Sequence, residues 1–139
     1  MNALQRYVLL GLVCLAPVPP AKAEPAPSDE AMTLAACRGR YTAVLEHAWL
    51  MNDNIEAARM RRDLFAAMLD AQTRPDPNRH QLERQLLSQR ITQKQAMSHL
   101  LNNARFASDP RRAQHALKLV SQRLATCDRL VVGRAAFGA

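Results

Sequence analysis

Apolar residues recur at every third or fourth position along most of this chain, and the pattern breaks where turn-forming residues gather. That spacing is typical of one face of an α-helix. The breaks fall at 52–54, 74–78 and 109–110, which are rich in Asn, Asp and Pro. The composition agrees, because Ala, Leu, Met, Gln and Arg are good helix formers and aromatic residues make up only 4%. The sequence therefore predicts an all-α fold of three to four helices.

The first two helices are predicted from residues that cap helix ends. Ser28 precedes two acidic residues, so we expect it to be the N-cap of the first helix. Asp53 and Glu56 have the spacing of a capping box, which predicts a second helix from there to about Thr73. The break at 52–54 is weak, so the two helices are either separate or one bent rod.

Proline-containing turns predict where the third and fourth helices begin. We expect Asp76 to cap the third helix with Pro77 at its first position, and the helix to end near Phe106. The Asp-Pro pair at 109–110 repeats this arrangement and opens the fourth helix. Gly133 is expected to mark its end, which leaves 31–132 as the bundle domain and 133–139 as a frayed tail.

Each predicted helix carries one apolar stripe that has to be buried against its neighbours. Short connections make successive helices antiparallel, so the expected fold is an up-down-up-down four-helix bundle. In chain order, the stripes are Leu34, Cys37, Tyr41, Val44, Ala48 and Met51; Ala57, Met60, Leu64, Ala67 and Ala71; Leu82, Leu86, Met97, Leu100 and Ala104; and Ala113, Leu117, Val120, Leu124, Cys127 and Val131.

The third stripe is interrupted by a polar run at 88–95. Arg90 and Gln93 occupy the positions that apolar residues would take there. The interruption is consistent with a buried polar network, with a groove or with the face of a homodimer, and the sequence does not choose among the three.

The first 23 residues have the features of an export signal. Arg6 provides the positive start, 8–16 an apolar core, and Ala21 and Ala23 the small residues of a cleavage site. Residues 24–30 are then expected to be a disordered leader. The apolar run is too short to span a membrane, and no later segment is long and apolar enough. The mature protein is therefore expected to be periplasmic or secreted, without a transmembrane segment.

Cys37 and Cys127 are the two cysteines that remain after removal of the signal. In an exported protein, an even number of cysteines indicates disulfide bonding. One cysteine lies early in the first helix and the other late in the fourth, and an up-down bundle brings those places to the same end. We therefore expect one disulfide that joins the ends of the bundle. Two free buried thiols and a disulfide between chains are the alternatives.

The chain is basic, with a formal net charge of +7, to which the export signal contributes only Arg6 and Lys22. In an exported protein, this charge favours anionic lipid head groups, acidic wall polymers or acidic protein faces rather than nucleic acid. We expect the partner to be an unknown protein or an anionic envelope component. The alternative is that the charge only keeps the protein in solution.

The candidate partner-binding residues are the single tryptophan and two clusters of arginine. Tryptophan and arginine are enriched where binding energy concentrates. The tryptophan either anchors a partner or fills a corner of the bundle, and the arginines either dock an acidic surface or form a solvated face. These residues are Trp49, Arg59, Arg61, Arg62, Arg111 and Arg112.

The sequence has no motif for catalysis or for cofactor binding. Gly-x-Ser-x-Gly, a glycine-rich phosphate loop and Cys-x-x-Cys-His do not occur. No two of the histidines are three or four residues apart, as they are in metal sites on a single helix. His47 and Met51 are the candidates for a copper or zinc site assembled between helices. We expect no catalytic residue, no cofactor and no enzymatic activity.

The segment Ile91-Thr92-Gln93-Lys94-Gln95 resembles the Leu-Thr-x-x-Gln motif of the Spy and CpxP family. Members of that family are small all-helical periplasmic chaperones and stress sensors with a signal peptide and a basic concave face. The resemblance implies a chaperone or envelope-stress protein, which is one alternative function. The function we expect first is a small exported, non-catalytic binding or structural module. A copper- or zinc-binding protein is a further alternative.

Overall fold

The computed structural model describes residues 26–137, with side chains for residues 26–133. Over this range the chain forms four helices and no strand, which confirms the all-α prediction. The export signal predicted at 1–23 lies outside the described residues. The helices are α1 (Asp29–Leu50), α2 (Glu56–Thr73), α3 (Arg79–Phe106) and α4 (Pro110–Phe137).

Helix α1 begins and ends in capping structures that the local sequence explains. The Ser28 hydroxyl accepts a hydrogen bond from the Ala31 amide at 3.1 Å, so the predicted N-cap is confirmed. Helix α1 therefore starts inside the segment 24–30 that was expected to be a leader. At the other end Asn52 has a φ of 56°, and the amides of Asn52 and Asp53 donate to the carbonyls of Trp49 and Ala48. This Schellman motif reverses the chain, so α1 and α2 are separate helices.

The starts of α2 and α3 differ from the predicted ones. Asp53 does not form a capping box with Glu56; instead the Asn54 side chain accepts from the Glu56 amide at 2.9 Å. Helix α3 begins at Arg79 rather than at Pro77, because 77–78 form a turn. Asp76 still accepts a hydrogen bond in this turn, from the amide of residue 78 at 2.7 Å.

Helix α4 begins where the sequence predicts, after a capping aspartate. The Asp109 carboxylate accepts from the Arg111 amide at 2.9 Å, as a side chain before a helix start does. The helix then continues through Gly133 to Phe137, past the position where the tail was expected to begin.

Contacts between the helices confirm the up-down-up-down order. Gln72 near the end of α2 reaches Ser28 at the start of α1, so these two helices are antiparallel. Helices α1 and α4 are antiparallel as well, because the disulfide joins Cys37 in the first half of α1 to Cys127 in the second half of α4. Helices α1 and α3 run parallel, since Gly39 approaches Arg90 and Glu46 pairs with Lys94.

The packing departs from a regular square bundle. Helix α1 packs most extensively against α3, which would be its diagonal partner in such a bundle, and next against α2. Helices α2 and α3 make only sparse contact with each other. The fold is therefore a central α1–α3 pair with α2 and α4 on its flanks.

Small residues on α1 allow the close approach of α3. A buried stripe of α1 repeats every four residues and consists of Ala31, Ala35, Gly39 and Ala43. A Cβ atom added at Gly39 would lie 2.3 Å from the backbone carbonyl oxygen of Arg90. The two backbones therefore meet at a point where only glycine fits.

The predicted face of α2 is wrong. All five residues of its predicted stripe are exposed, and Met60 keeps 70% of its accessible surface. The buried residues of α2 are Ala58, Phe65, Leu69 and Thr73. This face packs against α1 because the Phe65 ring stacks on Tyr41 with the ring centres 5.8 Å apart.

The predicted faces of the other three helices are buried or half-buried with one exception, Leu117, which is 58% exposed. The larger part of the core surrounds the disulfide and includes Leu34, Phe65 and Leu86. A second cluster joins Ala43, Met97 and Val120.

Between residues 26 and 137, no helix has both the length and the hydropathy that crossing a bilayer requires.

Candidate functional site

The predicted disulfide between Cys37 and Cys127 is confirmed. The S–S distance is 2.06 Å and the Cα atoms are 5.5 Å apart, within the usual range for a disulfide. Both residues are fully buried. The alternatives of free thiols and of a disulfide between chains therefore do not apply.

One interruption of the third stripe is explained by a partly buried polar network. The Arg40 guanidinium donates to the Gln93 side-chain oxygen at 3.0 and 3.1 Å, and to the Arg123 backbone carbonyl at 3.0 Å. Burial of the guanidinium, with the nearby charge of Arg123, lowers the pKa of Arg40. Gln93 therefore compensates a cation held between α1, α3 and α4.

A second network joins α1, α2 and α4 beside the disulfide. The Tyr41 hydroxyl donates to Asp128 at 2.7 Å, and Arg61 lies 3.6 Å from the same carboxylate oxygen. Burial of the ring and the bond to Asp128 raise the pKa of Tyr41. Arg61, a predicted partner-binding residue, therefore forms an intramolecular ion pair at the protein surface.

The other predicted binding residues are dispersed. Trp49 is 71% exposed near the end of α1, so it does not fill a corner of the bundle. Arg59 pairs with Glu56 on its own helix at 3.1 Å. Arg111 and Arg112 are exposed at the start of α4. The structure does not bring these residues together into one site.

The two metal-ligand candidates lie one helical turn apart at the end of α1. His47 is half-buried, and its Nε2 atom is buried without a hydrogen-bond partner among the described residues. Met51 is the C-cap of the helix. In the part of the chain that the structure describes, no group of three His, Cys, Asp or Glu side chains could hold a metal ion.

A groove opens between α2 and α3 because these helices barely touch, and α1 forms its floor. It encloses about 480 Å³, and we call it the cationic groove. A smaller cavity adjoins it between the end of α2 and the start of α3, and shares Arg38, Leu87 and Arg90 with it. The cationic groove is lined by Arg38, Thr42, Arg62, Asp63, Leu87, Arg90, Ile91 and Lys94.

Two of the four cations in the groove are engaged by carboxylates. Arg62 donates to the neighbouring Asp63 at 2.8 Å, and Lys94 donates to Glu46 of α1 at 2.6 Å. The other two, Arg38 and Arg90, form no side-chain hydrogen bond or ion pair with any described residue. Their positive charge is therefore left to solvent or to a ligand.

The pKa of Arg38 reports how the groove holds these charges. Partial burial of the guanidinium is the largest cause and lowers the pKa, and the positive charges of Arg90 and Arg62 lower it further. Asp63 acts in the opposite direction with the smallest effect. A charged group with this balance is stabilised by an added anion.

An ion-pair network closes the smaller cavity at one end. Arg79 of α3 donates to Asp70 of α2 at 3.0 Å and to Glu83 at 2.7 Å. Asp70 also accepts from Arg74, and this bond is the main cause of its lowered pKa. The negative groups at this end are thus neutralised, whereas Arg38 and Arg90 of the main groove are not.

Arg38, Arg90 and Lys94 were not among the predicted binding residues. The available signal was the polar run at 88–95, which contains Arg90 and Lys94 and was consistent with either a network or a groove. The structure contains both, since Gln93 turns toward α4 while its neighbours line the groove. Nothing in the local sequence singles out Arg38.

Comparison with known proteins finds no match: neither a protein-family model, nor a curated protein, nor a solved structure is significantly similar to this chain. The five residues that resemble the Spy and CpxP motif lie in the middle of α3. Ile91 and Lys94 line the cationic groove, and Gln93 belongs to the buried network.

Proposed function

We propose that this protein is an exported, non-catalytic helical module that binds an anionic component of the cell envelope in the cationic groove. The observation that carries the proposal is the pair of guanidinium groups of Arg38 and Arg90. They line one open groove, and neither forms an ion pair with a described carboxylate. Arginine presents several N–H donors in a plane and suits phosphate, sulfate or carboxylate groups.

Energetics favour a bound anion over an empty groove. Two like charges that are partly removed from water repel each other, and the repulsion is weakly screened there. An anion that bridges Arg38 and Arg90 relieves the repulsion and restores hydrogen bonds lost on burial. Binding should therefore depend on these two residues and should weaken at high salt.

The test is an NMR titration of the ¹⁵N-labelled mature protein with pyrophosphate, which observes the arginine side-chain N–H groups. We expect the largest, saturating shifts at Arg38 and Arg90. The variant Arg38→Gln/Arg90→Gln, followed by its backbone amide signals, should no longer bind pyrophosphate and should remain folded, because neither side chain makes an internal bond.

The matched control is Arg112→Gln/Arg129→Gln, which removes the same charge from exposed positions of α4. It should bind pyrophosphate as the unaltered protein does. Equal loss of binding in the two double variants would show a general effect of net charge and would contradict the proposal.

Export is the other part of the proposal, and it rests on the leader sequence. A basic protein with a fully buried disulfide suits an oxidising compartment. Mass spectrometry of the protein from its natural source should find Glu24 at the N-terminus. An intact leader would contradict export.

A chaperone is the second candidate, favoured by the exposed apolar stripe of α2. Met60 and Leu64 lie on this stripe, with 70% and 37% of their surface accessible. A chaperone should suppress aggregation of unrelated unfolded proteins, and Met60→Lys should reduce the effect. If a molar excess of the protein does not suppress aggregation, this candidate is removed.

A further inference from the structure

The cationic groove also carries apolar surface beside its unpaired charges. Leu87 and Ile91 are four residues apart on α3, so they are neighbours on the helix surface, and they are 42% and 45% exposed. Arg90 lies between them in the sequence and lines the same groove. A ligand that reaches Arg90 therefore also meets this apolar pair.

The smaller cavity extends the apolar lining. It adds Ala66 and Leu69 of α2 and Leu86 of α3, and it encloses about 130 Å³. Because the cavity adjoins the groove and shares Arg38 and Leu87 with it, apolar atoms there are next to the unpaired guanidinium groups.

The size of the groove limits what can enter. A cavity of about 480 Å³ is within the range of small-molecule sites, which is roughly 300–1,000 Å³. A helix with side chains is about 10 Å wide and rises about 5.4 Å per turn, so this space holds only about one turn. An alkyl chain is much thinner than a helix and fits within this space.

We infer that the ligand of the cationic groove is a monomeric anionic amphiphile, with its charged head on Arg38 and Arg90 and an alkyl chain over Leu87 and Ile91. This inference rests on the proposed function, because it names the class of anion that the groove binds. The head group is a phosphate or a carboxylate, and the chain removes exposed apolar surface from water.

The test compares hexyl, octyl and decyl phosphate below their micelle-forming concentrations, by calorimetry. Each buried methylene contributes about 0.8 kcal/mol, so affinity should rise by up to about fourfold per methylene. The variant Leu87→Ser/Ile91→Ser should flatten this dependence while its response to pyrophosphate is unchanged. Leu117→Ser, at an exposed position of α4, should retain the full dependence.

The outcomes separate this inference from the proposed function. Equal affinity for the three alkyl phosphates, with pyrophosphate still bound at Arg38 and Arg90, would overturn the amphiphile and leave the anion site intact. Loss of pyrophosphate binding itself would overturn the proposed function. If the protein binds anionic phospholipid vesicles and decyl phosphate does not compete with this binding, the partner is a membrane surface. That result would also overturn the inference.

Discussion

The close contact of α1 with α3 at Gly39 makes a sharp prediction for Gly39→Ala. A Cβ there would lie 2.3 Å from the Arg90 carbonyl oxygen, whereas ordinary contacts begin at 3.4 Å. The helices must therefore move apart by about 1 Å, because the obstacle is backbone and has no rotamer to change. This movement would loosen the most extensive interface in the protein.

The magnitude follows from two opposing effects. Alanine is a better helix former than glycine by about 1 kcal/mol, which favours the variant. Overpacking a well-packed core destabilises by about 1–3 kcal/mol and more when backbone has to shift. We expect the steric effect to win, with a net loss of about 2 kcal/mol. For a domain of this size, that corresponds to a Tm lower by about 8 °C.

Gly133→Ala is the matched control, because this glycine is also helical and an added Cβ would meet nothing within 4 Å. Only the propensity effect remains, so we expect stabilisation by up to about 1 kcal/mol. Urea unfolding followed by circular dichroism, with the disulfide intact, measures both free energies. If Gly39→Ala is as stable as Gly133→Ala, the close α1–α3 contact is wrong.

Two further predictions concern the disulfide and the hydrogen bond of Tyr41 beside it. The variant Cys37→Ala/Cys127→Ala removes a link between residues 90 positions apart and should lower the free energy of unfolding by roughly 4–5 kcal/mol. Because both cysteines are buried, dithiothreitol should reduce the disulfide of the native protein no faster than the protein unfolds. Rapid reduction would contradict the burial. The raised pKa of Tyr41 means that its stabilising contribution is complete below the unfolded pKa of about 10 and is lost as pH rises further. Tyr41→Phe should therefore flatten the alkaline loss of stability in urea titrations, and an unchanged slope would contradict the assignment.

Local sequence was sufficient to predict the starts of α1 and α4 and the disulfide. Ser28 and Asp109 mark helix starts because their side chains bond to amides only a few residues away. Cys37 and Cys127 could be paired because alternating helix directions bring their positions to one end. Neither prediction needs the tertiary structure, because a helix cap depends on bonds between residues close in sequence and the disulfide depends on the alternating direction of the helices.

The face of α2 could not be predicted, because two apolar repeats compete on that helix. The predicted repeat contains Met60 and Leu64, and the buried one contains Phe65 and Leu69. The choice depends on the surface that α1 presents, where Tyr41 receives the ring of Phe65. Hydrophobic spacing on one helix contains no information about that partner surface.

The cationic groove was likewise decided by tertiary structure. Arg61 and Arg62 are adjacent in sequence, yet one meets Asp128 while the other lines the groove, because neighbours on a helix point about 100° apart. The sequence by itself determined where α1 and α4 begin, how the helices alternate and which cysteines join. The groove arises because α3 packs tightly on α1 at Gly39 and leaves α2 separated, and this balance of contacts between distant helices exists only once the chain has folded.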